Sequence, residues 1–306
     1  MKSLCKLHGI VPPVITPLQN PESLDRPGLE RLLEHLVNGG VHGLFVLGTT
    51  GEAPSLGREL KFQMVEETCR YINGRLPVLV GISDPSYSES LRLAEHAASC
   101  GASALVLAPP FYFPAGQPEL LEYLSHLAPQ LPLPLFLYNM PAMTKISFEP
   151  ETVRQAFEIP GIIGMKDSSG SMSYLHKVRE MLPRDSQAML LVGPEELLGE
   201  AVLFGYDGGV CGGANVFPRL FVSLYEAASR GDLTQTLHLH RQVIRMGLML
   251  YNTGKHVSSG IKGIKCALSC LGICDDFMSE PFHRFLPPER AKIAAAVEAL
   301  KMELGT

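Results

Sequence analysis

Ile162-Ile163-Gly164-Met165-Lys166-Asp167-Ser168 places a lysine inside an otherwise apolar run. Continuous rather than alternating hydrophobicity reads as a parallel strand covered on both faces. Lysine is rarely fully buried without a partner, and loss of water disfavours an ammonium. A neutral amine is a nucleophile toward a carbonyl carbon, and the C-terminal end of a barrel strand is where such a group works. Residue type alone leaves two alternatives open, a side chain that snorkels outward and an ion pair with Asp167.

Seven further short runs share this character: Gly9–Thr16, Gly43–Gly48, Pro77–Ile82, Ala104–Pro109, Leu133–Asn139, Met189–Gly193 and Gly209–Gly212. Amphipathic stretches of helical period lie between runs, among them Pro27–Asn38, Glu59–Tyr71, Ser88–Ser99, Pro118–Ala128 and Met172–Met181. Eight strand runs with helical returns predict an α/β fold, a (β/α)8 TIM barrel, over a doubly wound sheet. The barrel is expected to occupy residues 1–230. A C-terminal helical extension over 231–306 is expected to pack on it as one structural unit. Its apolar faces lie in Asp232–Tyr251, Ser258–Leu271 and Pro288–Leu304, with Pro281 and Pro287-Pro288 as breaks.

At 306 residues and 46% hydrophobic, the chain can bury a large single core. A net charge of -5, with no basic run, argues against a nucleic-acid partner. No stretch reaches the roughly 18 apolar residues of a membrane span, so no membrane partner is expected. The opening Met1-Lys2-Ser3-Leu4-Cys5-Lys6-Leu7 is too short for a signal peptide, with Pro12 and Pro13 close behind. Seven scattered cysteines, an odd number, fit a reducing compartment, and a cytoplasmic location is expected. Cys266, Cys270 and Cys274 recur every four residues, which predicts small buried side chains on one helix face rather than metal ligands. His238 and His240 fall on different sides of a helix, and no metal is expected.

Barrel chemistry gathers where strands end. Strand two ends in Gly48-Thr49-Thr50-Gly51-Glu52, strand four in Pro109-Pro110-Phe111-Tyr112 and strand five in Tyr138-Asn139-Met140-Pro141, while strand six carries Lys166. The turn Gly48–Gly51 supplies backbone N–H groups and two hydroxyls, a nest for a carboxylate or an ordinary β-to-α turn. Tyr138 has the parity to reach the cavity of Lys166, as a proton shuttle or as a core tyrosine with its hydroxyl satisfied.

Together, Gly48-Thr49-Thr50-Gly51-Glu52, Tyr138-Asn139-Met140-Pro141 and Gly164-Met165-Lys166-Asp167 resemble the signatures of the dihydrodipicolinate synthase/N-acetylneuraminate lyase family, in the same order and spacing. The resemblance implies a Schiff-base enzyme acting on pyruvate. Lys166 would form the imine, Tyr138 would relay protons, and Thr49 would link tyrosines in a hydroxyl chain. Thr50, with the turn glycines Gly48 and Gly51, would hold the substrate carboxylate. Tyr112 matches the tyrosine lent to a neighbouring subunit, and a homotetramer built as a dimer of dimers is implied. No cofactor is expected, since a protonated imine supplies the electron sink, and no phosphate cup for pyridoxal phosphate is visible.

Synthases of this family resemble one another in placing an arginine where this chain has Met143, which cannot form a bidentate contact. The lyase branch is nearer there. Its sugar-tail contacts correspond to Gly193, Glu195, Glu196 and the segment around Val210, although acidic residues also suit a first helical turn without any ligand. Gly212 falls where sialic-acid lyases carry a serine. The expected reaction is reversible cleavage of a 4-hydroxy-2-keto acid to pyruvate and an aldehyde, the acid being a 2-keto-3-deoxy sugar acid, N-acetylneuraminate-like or 4-hydroxy-2-oxoglutarate-like. The alternatives are condensation of pyruvate with aspartate semialdehyde, dehydration of a keto-deoxy sugar acid, and a non-catalytic pyruvate sensor.

Overall fold

A computed structural model describes residues 7–305, so the reading of the first residues as lacking a signal peptide lies outside the described residues. Eight parallel strands form one sheet: β1 (Gly9–Ile10), β2 (Leu44–Val46), β3 (Val78–Gly81), β4 (Ala104–Leu107), β5 (Leu135–Asn139), β6 (Ile162–Asp167), β7 (Met189–Val192) and β8 (Gly208–Gly209). Each pairs with its neighbour in order from β2 to β8, and β8 then pairs with β1. The last seam is closed just past β1, where Phe45 N donates to Pro12 O at 2.9 Å and Val14 N to Phe45 O at 2.8 Å. The sheet is therefore a closed (β/α)8 barrel.

The two sides of the strands fill separate cores. Phe45, Leu79, Val106, Phe136, Tyr138 and Leu191 pack inside the barrel. Val46, Val80, Leu105, Leu137, Met165 and Val192 face the helices in a much larger cluster. The period-two alternation of a strand sorts the side chains, and burial of both sets explains the unbroken hydrophobic runs. Gly208, at φ +149, carries the closest seam: a Cβ there would stand 2.0 Å from Gly9 O.

Outer helices follow the strands: α1 (Arg26–Asn38), α2 (Arg58–Ile72), α3 (Tyr87–Ser99), α4 (Gln117–Leu127), α5 (Pro150–Ala156), α6 (Met172–Met181), α7 (Leu198–Leu203) and α8 (Pro218–Ser229). Three long helices come after: α9 (Leu233–Tyr251), α10 (Ser259–Cys270) and α11 (Pro287–Leu304). Side-chain caps start several of them, with Asp25 accepting from Gly28 N and Asp232 from Gln235 N, both at 3.0 Å. α9 packs on α8, and α10 lies between α9 and α11.

Three differences from the sequence reading have local causes. The first strand ladder is shorter than Gly9–Thr16 because Pro12 and Pro13 have no N–H to donate. The eighth is Gly208–Gly209, after which the backbone turns into a short 3-10 helix, Gly212–Asn215. α10 ends at Cys270, so Cys274 does not share a helix face with Cys266, although both are buried. A small ladder of Leu18–Asn20 on Ser23–Leu24 was not anticipated.

Candidate active site

Tyr138 and Lys166 are direct partners in the β5–β6 ladder, so both point into the barrel mouth. Lys166 is 5% exposed. Its Nζ lies 4.0 Å from the centre of the Tyr138 ring and 5.0 Å from that of Phe45. Burial removes the snorkelling alternative, and no ion pair with Asp167 forms. Asp167 points to the outer face, where its carboxylate accepts from Asn139 Nδ2 at 2.7 Å, Ser169 Oγ at 2.8 Å and Ser169 N at 3.2 Å. Burial raises the Asp167 carboxyl above its ordinary range, and those hydrogen bonds oppose the rise. Asn139 Oδ1 accepts from Phe148 N at 3.1 Å. The outer faces of β5 and β6 are thus braced behind the two inward residues.

The turn after β2 brings a hydroxyl to this pair, with Thr49 Oγ1 and Tyr138 Oη 3.1 Å apart. Leu47 (φ +59) and Glu52 (φ +57) bracket the turn in left-handed conformations that favour glycine. Glu52 N donates to Thr49 O at 3.0 Å, and the Thr16 hydroxyl donates to Gly51 O at 2.7 Å. Among the described residues, the N–H groups of Thr49, Thr50 and Gly51 donate to no backbone carbonyl. Oriented, unspent donors of this kind suit an anion.

A cavity of about 290 Å³ opens over Lys166. Thr49, Thr50, Tyr138, Met143, Gly193, Glu195, Glu196 and Val210, all singled out in the sequence, line it. Gly48 lines a neighbouring cavity of about 250 Å³ beyond Thr49 and Tyr138. Gly51 is buried behind the turn and lines neither. Tyr112 stands outside both, 87% exposed with φ +117, its ring edge-on to Phe113.

On the far wall, Glu195 Oε1 accepts from Gly213 N at 2.7 Å and from the Tyr251 hydroxyl at 2.8 Å. Its Oε2 is shut from solvent without a hydrogen-bond partner. Burial is the main cause that pushes this carboxyl up to about 7. Burial, then the Glu195 charge, pushes the Tyr251 phenol well above its ordinary range. A Cβ on Gly212 would lie 3.3 Å from Glu195 Oε1 and 3.9 Å from Thr50 Oγ1, so this glycine stands between the acidic wall and the Thr49–Thr50 turn.

Sequence reasoning missed Tyr251, Val257, Ile261 and Ile264, which the extension contributes to the cavity, and Ser168. Ser168 was findable, because residues two apart share a strand face. The other four are placed by how α9, α10 and the turn between them sit over the barrel, and leave no local signal. Among the described residues, no group of three or more His, Cys, Asp or Glu side chains is placed to hold a metal ion, and no helix is long and apolar enough to cross a membrane.

The sequence and the fold both have counterparts among known proteins. A probable 2-dehydro-3-deoxy-D-pentonate aldolase of Escherichia coli K12 is 32% identical over 273 residues, 88% of each chain. A structure of dihydrodipicolinate synthase from Bacteroides thetaiotaomicron superposes with a TM-score of 0.93 at 53% identity, covering 96% of this chain and 98% of the other. The prophage protein YagE of Escherichia coli K12, solved in complex with pyruvate, superposes with a TM-score of 0.91 at 28% identity, covering 97% and 99%. Residues 6–300 match the dihydrodipicolinate synthetase family, and the chain belongs to that family of lyases and aldolases.

Proposed function

We propose that the protein is a class I aldolase that cleaves a short 4-hydroxy-2-keto acid with an uncharged, hydroxylated tail to pyruvate and an aldehyde. The observation that carries the reading is the buried, unpaired Lys166 amine beside the Tyr138–Thr49 hydroxyl pair. The amine attacks C2 of the keto acid, and Tyr138 protonates the departing oxygen as water leaves and the imine forms. The same phenol then takes the proton of the C4 hydroxyl. The C3–C4 bond breaks, its electrons flow to the iminium nitrogen, and the aldehyde departs. The enamine is protonated at C3, and water releases pyruvate. Thr49 passes protons between Tyr138 and the mouth, while the Thr50 hydroxyl and the free N–H groups of Thr49 and Thr50 hold the carboxylate.

Charge and size support the choice of tail. Among the described residues that line the cavity, Lys166 is the one lysine or arginine, and Glu195 and Glu196 face the distal end. A carboxylate-bearing aldehyde such as aspartate semialdehyde or glyoxylate would find no lining cation beyond Lys166 to receive its carboxylate. Lys145 does not serve, since its Nζ donates to Ala142 O and it does not line the cavity. A cavity of about 290 Å³, near the lower bound of about 300 Å³ for small-molecule sites and adjoined by a second of about 250 Å³, has room for a five- or six-carbon acid. The exposure of Tyr112 supports its insertion into a second subunit and a homotetrameric assembly.

The test is borohydride reduction in the presence of pyruvate, with peptide mass spectrometry. An adduct on Lys166, absent from Lys166→Ala, is expected. No adduct on the folded protein would overturn the reading and favour a non-catalytic sensor. An aldehyde panel then separates glyceraldehyde and glycolaldehyde, the expected partners, from aspartate semialdehyde.

A further inference from the structure

A second buried lysine lies beneath the catalytic turn. Lys265, on α10, is 0% exposed and ion-pairs with Glu52, whose side chain is equally enclosed. Lys265 Nζ also donates to Phe277 O at 2.7 Å. The other Glu52 oxygen accepts from Ser279 N and Ser279 Oγ, both at 2.8 Å. α10 reaches this depth because Gly263 lets its backbone approach α9, where a Cβ would stand 2.1 Å from Leu250 O. On the same helix, Ile261, one turn away, and Ile264, the preceding residue, line the catalytic cavity. None of these charged groups touches the cavity.

A buried ion pair is weak evidence for stability, since apolar residues of the same shape often serve as well or better. Its documented use is to select one conformation. The conformation at stake here is specific: Glu52 closes the Thr49–Thr50 turn in a left-handed geometry that an L-residue adopts at a cost. The carboxylate that would resist relaxation of that turn is the one fixed by Lys265 and Ser279. Without them, Glu52 is free to return to ordinary backbone angles, and Thr49 moves off Tyr138.

We infer that Lys265 is a positioning residue for catalysis: through Glu52, and with Ser279, it holds the Thr49–Thr50 turn against Tyr138, which makes the C-terminal extension a working part of the active site. The inference rests on the Schiff-base reading for its catalytic consequence, but the brace itself can be measured without substrate.

Lys265→Met, the double variant Lys265→Met/Glu52→Gln, and Ser279→Ala are compared with wild type. Lys265→Met leaves a buried carboxylate unpaired, and its folding is expected to suffer. The double variant removes both charges, and its thermal midpoint is expected to return toward wild type. Amide hydrogen exchange over residues 44–56 should nonetheless stay faster than in wild type. Deuterium exchange into the pyruvate methyl group, which needs only imine and enamine, should fall about a hundredfold at saturating pyruvate, the scale of a misplaced catalytic group. Borohydride trapping on Lys166 should persist, because the nucleophile is untouched. Ser279→Ala should slow methyl exchange several-fold with little change in midpoint.

A folded double variant with wild-type methyl exchange and wild-type amide protection overturns the inference. If neither lysine variant folds, unchanged methyl exchange in Ser279→Ala overturns it. If wild type itself forms no pyruvate adduct, the aldolase reading fails, and amide exchange over residues 44–56 still decides the brace.

Discussion

Replacing Glu195 by glutamine should flatten the pH dependence of stability. Burial moves the carboxyl from its ordinary 4.5 to about 7. Between those values the folded protein holds a proton that the unfolded chain has released, so the native state is favoured at acid pH and loses stability as pH rises through 7. At about 1.4 kcal/mol per tenfold change, the loss between pH 5 and pH 8 is about 2–3 kcal/mol. Glutamine keeps an acceptor for Gly213 N and the Tyr251 hydroxyl but does not titrate. Its amide introduces buried donors where Oε2 has no partner, a cost that is the same at both pH values. Urea unfolding of both proteins at pH 5 and pH 8, at one protein concentration, cancels that cost in the double difference. Wild type should lose about 2–3 kcal/mol more than the variant. Parallel pH profiles, within about 0.5 kcal/mol, would show that Glu195 is ionised or hydrated in the native state and would refute the reasoning. The same change should remove a break near pH 7 from the profile of kcat/KM for aldehyde addition.

Three further outcomes are expected. Tyr138→Phe keeps the ring beside Phe45 and Lys166 but loses the hydroxyl bond to Thr49; methyl exchange of pyruvate should fall by about 10²–10⁴-fold, with unfolding free energy within about 1 kcal/mol of wild type. Met143→Arg, at a position 43% exposed that lines both neighbouring cavities, should raise kcat/KM for aspartate semialdehyde relative to glyceraldehyde by at least about tenfold, the scale of one charged hydrogen bond; an unchanged ratio would show that the aldehyde tail lies elsewhere. Gly208→Ala forces a Cβ into the Gly9 carbonyl at the closing seam and should cost at least about 2 kcal/mol in urea unfolding.

Legibility varied with how local the cause was. β6 was bounded correctly because five of its six residues, Ile162–Asp167, are buried and the run carries its own signal. α6 matched Met172–Met181, with Ser171 capping it through Tyr174 N. The barrel followed from counting such runs, and the resemblance to the family rested on short motifs at strand ends. Strand parity alone put Tyr138 and Lys166 in one mouth. Tyr251 and Ile264 were invisible for the opposite reason: each reads as one more residue of an amphipathic helix, and only the approach of α9 and α10 to the mouth makes it part of a wall. Nothing local in the sequence marks Lys265 as buried, and no sequence pattern announces the left-handed backbone at Glu52.

The split of the site between early and late segments of the chain also sets an order of assembly during synthesis. A growing chain presents Glu52 and the threonine turn first and Lys166 next. The cation that holds the turn, and the helical wall that covers the lysine, leave the ribosome last. Until then Glu52 has no counter-charge, and Lys166 lies open to water. In the aldolase reading selectivity follows only once α9 and α10 dock, and a chain truncated before α10 would carry the proposed nucleophile without its cover.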